Sequence, residues 1–233
     1  MIGILFDFNG TMFFDESFQE ESWKSFLMKI IGSAVTDKEL QKYIHGRNSD
    51  FSLPYFLGRP LSRDEIELLE EEKESIYRKL CLESESFQLA DGLPAFLDEL
   101  VARKVPITIA TASGWNNVKF FFEHLDLDRW FDIDKVVYND GALPGKPEPD
   151  LYLKAAKRLG VDIHSCIVFE DSVSGVESAK RAGALKTIGV ASMRKNHLSN
   201  EIVSDIIHDY SNLALLLKMI GIESDEKELQ HEI

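Results

Sequence analysis

Met1-Ile2-Gly3-Ile4-Leu5-Phe6-Asp7-Phe8-Asn9-Gly10-Thr11 is the stretch that decides the fold. Ile2 to Phe6 is a continuous apolar run that breaks at Asp7, with Gly10 close behind. Such a run predicts a strand buried on both faces that stops in a loop. Two runs far downstream repeat the pattern. Pro106-Ile107-Thr108-Ile109-Ala110 ends at Thr111-Ala112-Ser113-Gly114, and Cys166-Ile167-Val168-Phe169 ends at Glu170-Asp171-Ser172. Strands covered on both faces belong to parallel sheets with helices on either side.

Helical periodicity fills the intervals. Gly92 to Arg103 carries Leu93, Phe96, Leu97 and Leu100 on one face. Trp115 to His124, Asp150 to Leu159 and Val173 to Ala182 are further helices, the last stopped by Gly183. Leu185 to Val190 predicts another strand, Ile206-Ile207 a short edge strand, and Ser211 caps a last helix that ends near Met219. The alternation predicts an α/β fold, a doubly wound parallel sheet with a Rossmann-like core.

Residues 15–88 break that alternation. Glu20 to Ile31, Asp37 to His45 and Arg63 to Leu82 have helical patterns, the third opened by a Ser62/Glu65 capping box, and no strand is evident. The expected organisation is an α/β core of residues 1–14 and 89–221, a helical cap of residues 15–88, and a charged tail of residues 222–233. An insert after the first strand's loop lies at the carboxyl ends of the strands, where open α/β sheets bind ligands. A lid is the natural expectation.

The bulk numbers narrow the function classes. A chain of 233 residues with 44% hydrophobic content buries a core without staples. A net charge of −14 disfavours nucleic acid and anionic membranes as partners. It does not exclude an anionic substrate, because a metal ion and a few cationic groups set the field inside a cleft. Cys81 and Cys166 match no metal spacing and fit reduced thiols in a cytoplasmic protein. No apolar run approaches the roughly 20 residues of a membrane span. A monomer or weak homodimer is expected.

The three strand ends carry chemistry. Asp7, Thr111 and Glu170-Asp171 occupy equivalent places, and Lys146 stands in Gly145-Lys146-Pro147-Glu148-Pro149-Asp150 just before a helix. Taken singly, each has an ordinary explanation as a turn former, a cap or a surface charge. Taken jointly, three carboxylates, a hydroxyl and an ammonium converge on one sheet edge. Carboxylates that close repel unless a cation lies among them. A hard cation with oxygen ligands, Mg²⁺, suits such a site.

With these residues in view, the chain resembles the haloacid dehalogenase-like hydrolase superfamily. Asp7-Phe8-Asn9-Gly10-Thr11 is similar to its first motif, and Thr111, Lys146 and Glu170-Asp171 fall where its second, third and fourth belong. The insert resembles the cap of the branch that holds β-phosphoglucomutase and phosphoglycolate phosphatase. The resemblance spans nearly the whole chain and implies attack by Asp7 on the phosphorus of a small phosphorylated metabolite. It implies catalytic partners in Thr111 and Lys146, and Mg²⁺ held by Asp7, the backbone carbonyl of Asn9, Asp171 and Glu170. It further implies that Gly10, Thr11, Ala112, Ser113 and Asn116, with His45, Arg47 and Asn48 in the cap, contact substrate. Gln19, Trp23 and Lys73 lie in cap stretches that face the cleft in similar proteins.

One position departs from the pattern. Phosphatases and mutases of this family carry a second aspartate two residues after the nucleophile, acting as acid and then as base; this chain has Asn9. A carboxamide neither gains nor loses a proton near neutral pH, and such catalysis is worth about 10²–10⁴-fold. One expectation is a phosphohydrolase that is slow or restricted to good leaving groups. Cation-pumping ATPases of the superfamily, with Thr at that place, expel such a group. Others are a phosphometabolite-binding protein with little turnover, a β-phosphoglucomutase-like phosphotransferase, and a proton supplied by a cap group such as His45. Retention of Gly10, Thr11 and the acidic pair favours phosphoryl chemistry over carbon–halogen cleavage. A Schiff base on a cap lysine such as Lys24, the phosphonatase device, fits less well.

Overall fold

The computed structural model of the protein describes residues 1–44, 47, 49–192 and 197–222. Along the chain, β1 (Gly3–Phe6) is followed by α1 (Glu16–Ile31), α2 (Asp37–Tyr43), α3 (Ser49–Leu57) and α4 (Arg63–Leu82). Then come α5 (Leu93–Ala102), β2 (Ile107–Gly114), α6 (Trp115–His124), β3 (Val137–Asn139), α7 (Asp150–Leu159) and β4 (Cys166–Glu170). The chain continues through α8 (Val173–Ala182), β5 (Lys186–Val190), β6 (Asp205–Ile207) and α9 (Leu213–Met219). These elements divide into two units, Met1–Phe14 with Leu89–Ile233, and Asp15–Gln88.

In the first unit every strand pair is parallel and the sheet order is β3-β2-β1-β4-β5-β6. The winding reverses between β1 and β4, and a doubly wound sheet opens a crevice beyond the carboxyl ends of its strands at that point. Side-chain alternation fixes the two faces. Leu5 and Val168 are register partners and pack with Tyr152, Ala155 and Ala156 of α7 and Ala179 of α8. Their neighbours Phe6 and Phe169, also partners, point the other way and stack at 5.0 Å, joined by Phe96 of α5 and by Tyr210. A slip of one residue would exchange these faces. With each buried aromatic worth about 1.5–3 kcal/mol, the register is strongly held.

The chain leaves β1 through a tight loop. The Phe8 carbonyl accepts the N–H groups of Thr11, Met12 and Phe13, while Gly10 N–H donates to the Phe13 carbonyl at 2.7 Å. Gly10 sits at φ 75° in this loop, a conformation that disfavours any side chain.

Several sequence expectations need correction. β3 is absent from the sequence pattern because it is only three residues long. β2 runs on to Gly114 with a register shift after Ala110, so Thr111-Ala112-Ser113 belong to an irregular strand end rather than to a loop. The last helix is capped by Asn212, whose Oδ1 accepts the Leu215 N–H at 3.1 Å, not by Ser211.

In the second unit the described residues form helices and no strand. Trp23, Phe26 and Leu27 of α1 form a core with Leu40 of α2 and Leu53 of α3, and Ile66, Leu69 and Ile76 of α4 pack against it. The Ser62/Glu65 capping box is present, and Thr36 with Glu39 forms a second one. The sequence offers no sign of α3, because Pro54 lies inside it and a proline normally argues against a helix interior. The second helix stops at Tyr43, short of His45. Lys73, which the resemblance places in a cap stretch that faces the cleft, is buried within this unit. Its Nζ donates to Gln19 Oε1 at 3.0 Å and lies over the Trp23 and Tyr77 rings. Among the described residues no helix is long and apolar enough to cross a membrane.

Candidate active site

The reversal of strand order brings the ends of β1 and β4 side by side. Asp7 follows β1 directly, and its N–H donates to the Phe169 carbonyl at 3.0 Å, so the ladder itself holds the residue at the sheet edge. Lys146, just before α7, donates to Asp7 Oδ1 at 2.7 Å and to Glu170 Oε1. Glu170 ends β4, and its other oxygen accepts the Ser172 N–H at 2.9 Å and the Ser172 hydroxyl at 3.2 Å. Tyr152 of α7 adds its hydroxyl to Glu170 Oε1 at 3.2 Å. Carboxylate oxygens of Asp7, Glu170 and Asp171 lie within 4.8 Å of one another, and all three residues are buried.

Two glycines make this closeness sterically feasible. A Cβ on Gly10 would stand 2.1 Å from Asp171 Oδ2, and one on Gly175 would stand 1.5 Å from Glu170 Oε1. The first turn of α8 therefore packs directly on the Glu170 carboxylate, and Ser172 caps that turn by accepting the Gly175 N–H at 3.0 Å. Helix N-terminal N–H groups favour a negative charge there. Sequence reasoning singled out Gly10 but not Gly175, Tyr152 or Ser172. Only the Ser172 cap spacing carries a local signal. Gly175→Ala is expected to destabilise the fold by about 1–3 kcal/mol, the usual cost of overpacking. A denaturant titration checks it; an unchanged midpoint would show that Glu170 moves aside freely.

Burial dominates the electrostatics. It raises the Asp7 carboxyl to about 7, with Lys146 opposing and Glu170 adding to the rise. Burial, then the charges of Glu170 and Asp7, also hold Asp171 well above the usual carboxylate range. Glu170 is buried too, but the Lys146 ammonium outweighs that and brings its carboxyl below the ordinary value. Burial alone would weaken the Lys146 ammonium, yet Asp7 and Glu170 raise it overall. One ammonium faces three carboxyl groups, two of them pushed toward their protonated forms, so full ionisation of the cluster calls for a further cation. Its oxygen donors match a hard divalent cation. The donor set therefore fits Mg²⁺.

Around this cluster the other sequence candidates fall unevenly. Thr111 is buried, and its hydroxyl oxygen accepts the Ser113 N–H at 3.1 Å. The Ser113 hydroxyl donates to Asn9 Oδ1 at 2.7 Å. Thr11 Oγ1 is buried without a hydrogen-bond partner among the described residues, while the Thr11 carbonyl accepts the Tyr210 hydroxyl at 3.1 Å. The Gly10 carbonyl accepts the Ser192 hydroxyl. Ala112 and Asn116 are exposed, at the end of β2 and the start of α6. Arg47 is exposed in the second unit, with its guanidinium 4.9 Å from the Phe51 ring centre. His45 and Asn48 lie outside the described residues.

Residues 2–183 match a family model described as a haloacid dehalogenase-like hydrolase. The chain is 28% identical over 194 residues to a phosphorylated carbohydrates phosphatase of Thermotoga maritima, covering 82% of this chain and 85% of that protein. It is 22% identical over 235 aligned positions to a beta-phosphoglucomutase of Mycobacterium bovis, covering 87% and 88% of the two chains. A solved HAD hydrolase, family IA, variant 3, from Entamoeba histolytica superposes with a TM-score of 0.84 at 38% identity, over 94% of this chain and 100% of that one.

Proposed function

This chain belongs to the haloacid dehalogenase-like hydrolases, and from that premise we propose that it is a Mg²⁺-dependent phosphohydrolase working through an aspartyl-phosphate on Asp7. The observation that carries the proposal is the Asp7 carboxylate held by Lys146 at the β1/β4 crevice, beside two further carboxylates. A nucleophile needs its charge and a fixed direction; Lys146 fixes the direction and opposes the burial that weakens the charge. Glu170 fixes Lys146 and is itself fixed by Tyr152 and Ser172, so it acts as a positioning residue. Asp7, Asp171 and the Asn9 carbonyl would hold Mg²⁺, with Glu170 adjoining them. When bound, the ion offsets the repulsion between carboxylates and incoming phosphate oxygens. Thr111, whose oxygen already accepts from Ser113, has its O–H left to donate to a phosphoryl oxygen.

The substrate class we infer is small phosphorylated metabolites, sugar phosphates among them, from the names of the T. maritima and M. bovis relatives. Asn9 ranks the members of that class. An alkyl leaving oxygen needs a proton that a carboxamide does not give, whereas a carboxylate leaving group needs none. With Mg²⁺ present, acetyl phosphate is expected to transfer its phosphoryl group to Asp7 in a single turnover about 10²-fold faster than sugar phosphates do. A chelator should abolish both reactions. Equal rates on the two donors would overturn the role given to Asn9. Phosphate binding with no release from any donor would favour a phosphometabolite-binding protein instead.

A further inference from the structure

We propose that Asn9, held by Ser113, makes the phosphoryl group on Asp7 long-lived, so that the protein accumulates as an acyl phosphate of its own Asp7. The inference rests on Asp7 being the nucleophile and goes beyond it, because it concerns the second half of the reaction.

The two half-reactions make different demands. In the first, an Asp7 oxygen bonds to phosphorus. The bond from phosphorus to the donor oxygen breaks, and the electron pair leaves with the donor. For an acyl phosphate the donor departs as a carboxylate, and no proton moves. In the second, a water oxygen bonds to phosphorus and the bond to Asp7 breaks, its electron pair returning to the Asp7 carboxylate. That water must lose a proton as it attacks. The side chain two residues beyond the nucleophile is a carboxamide, which is not a base.

The geometry strengthens this imbalance. Of the two ends of the Asn9 carboxamide, only the oxygen can accept a hydrogen bond from an attacking water. One of that oxygen's two acceptor positions is already taken by the Ser113 hydroxyl at 2.7 Å, which leaves a single position for water. Ser113 is itself pinned, because its N–H donates to Thr111 Oγ1 at 3.1 Å. The backbone of Asn9 has little room to swing, with Gly10 N–H on the Phe13 carbonyl, Ser192 on the Gly10 carbonyl, and Phe8 accepting three N–H groups. The site is thus built to take a phosphoryl group from an activated donor and poorly equipped to pass it to water.

The test uses the full chain with Mg²⁺ and acetyl phosphate, quenched in acid and read by intact mass. Borohydride reduction then locates the label. The expected result is one phosphoryl group per chain, on Asp7, decaying about 10²-fold or more slowly than in Asn9→Asp. Ser113→Ala, which removes a donor that competes with water for the amide oxygen, should shorten the lifetime, and Ser113→Thr, which keeps the hydroxyl, should restore it. Steady phosphate release without accumulated label would overturn persistence and leave the phosphohydrolase reading intact. Neither release nor label would overturn Asp7 as nucleophile. Equal decay in Ser113→Ala and the parent chain would remove Ser113 from the account.

Discussion

Asp7→Asn is expected to abolish phosphoryl transfer, by about 10⁴-fold or more, while making the metal-free protein more stable above neutral pH. The loss follows from chemistry, since an amide oxygen neither attacks phosphorus usefully nor holds an acyl-phosphate, and removing a nucleophile costs on this scale. The gain in stability follows from linkage. Burial lifts the Asp7 carboxyl from its ordinary 3.8 to about 7. Between those values the folded chain holds a proton that the unfolded chain has released. That contribution is complete below 3.8 and is lost as the pH rises through about 7. Above that the folded protein keeps a poorly solvated charge, which the neutral amide of the variant would not carry. In chelator, the variant should therefore melt higher than the parent at alkaline pH, and the gap should close on acidification. Added Mg²⁺ should raise the melting temperature of the parent more than that of the variant. A variant that melts lower than the parent in alkaline chelator would show that the Lys146 pairing outweighs the burial of Asp7.

The legible parts of this protein are those in which local sequence and tertiary role coincide. The apolar runs ending at Phe6 and Phe169 announce strands buried on both faces, and their polar ends mark the crevice. Ser62 and Glu65 announce a helix start because the capping box closes within one turn. The hidden parts depend on partners distant in sequence. Lys73 carries no mark of burial, since the groups that receive it, Gln19, Trp23 and Tyr77, come partly from another helix. Gly175 looks like an ordinary helix residue until Glu170 is seen lying against it. The α3 helix is obscured by Pro54. The Ser113–Asn9 hydrogen bond joins residues on different strands' ends, and nothing in either segment alone predicts it. In each of these cases composition gives the residue and packing gives the role.

Asn9→Asp is the second change with a large expected effect, and its size separates the acid step from the base step. Restoring a carboxyl group should raise turnover of sugar phosphates by about 10²–10⁴-fold. The Ser113 hydroxyl that now donates to Asn9 Oδ1 at 2.7 Å would then donate to a carboxylate. A hydrogen bond to the charged form favours ionisation, so the introduced carboxyl group would serve more readily as base than as acid. The label on Asp7 should therefore decay faster at neutral pH, while cleavage of an alkyl phosphate, which needs the protonated form, should fall as the pH rises. Removing the donor in the double variant Asn9→Asp, Ser113→Ala should move that falling limb to higher pH. Single-turnover rates across pH measure both limbs. If Asn9→Asp is no faster than the parent on sugar phosphates, another group already supplies the proton, and the missing carboxyl group is not what limits the site.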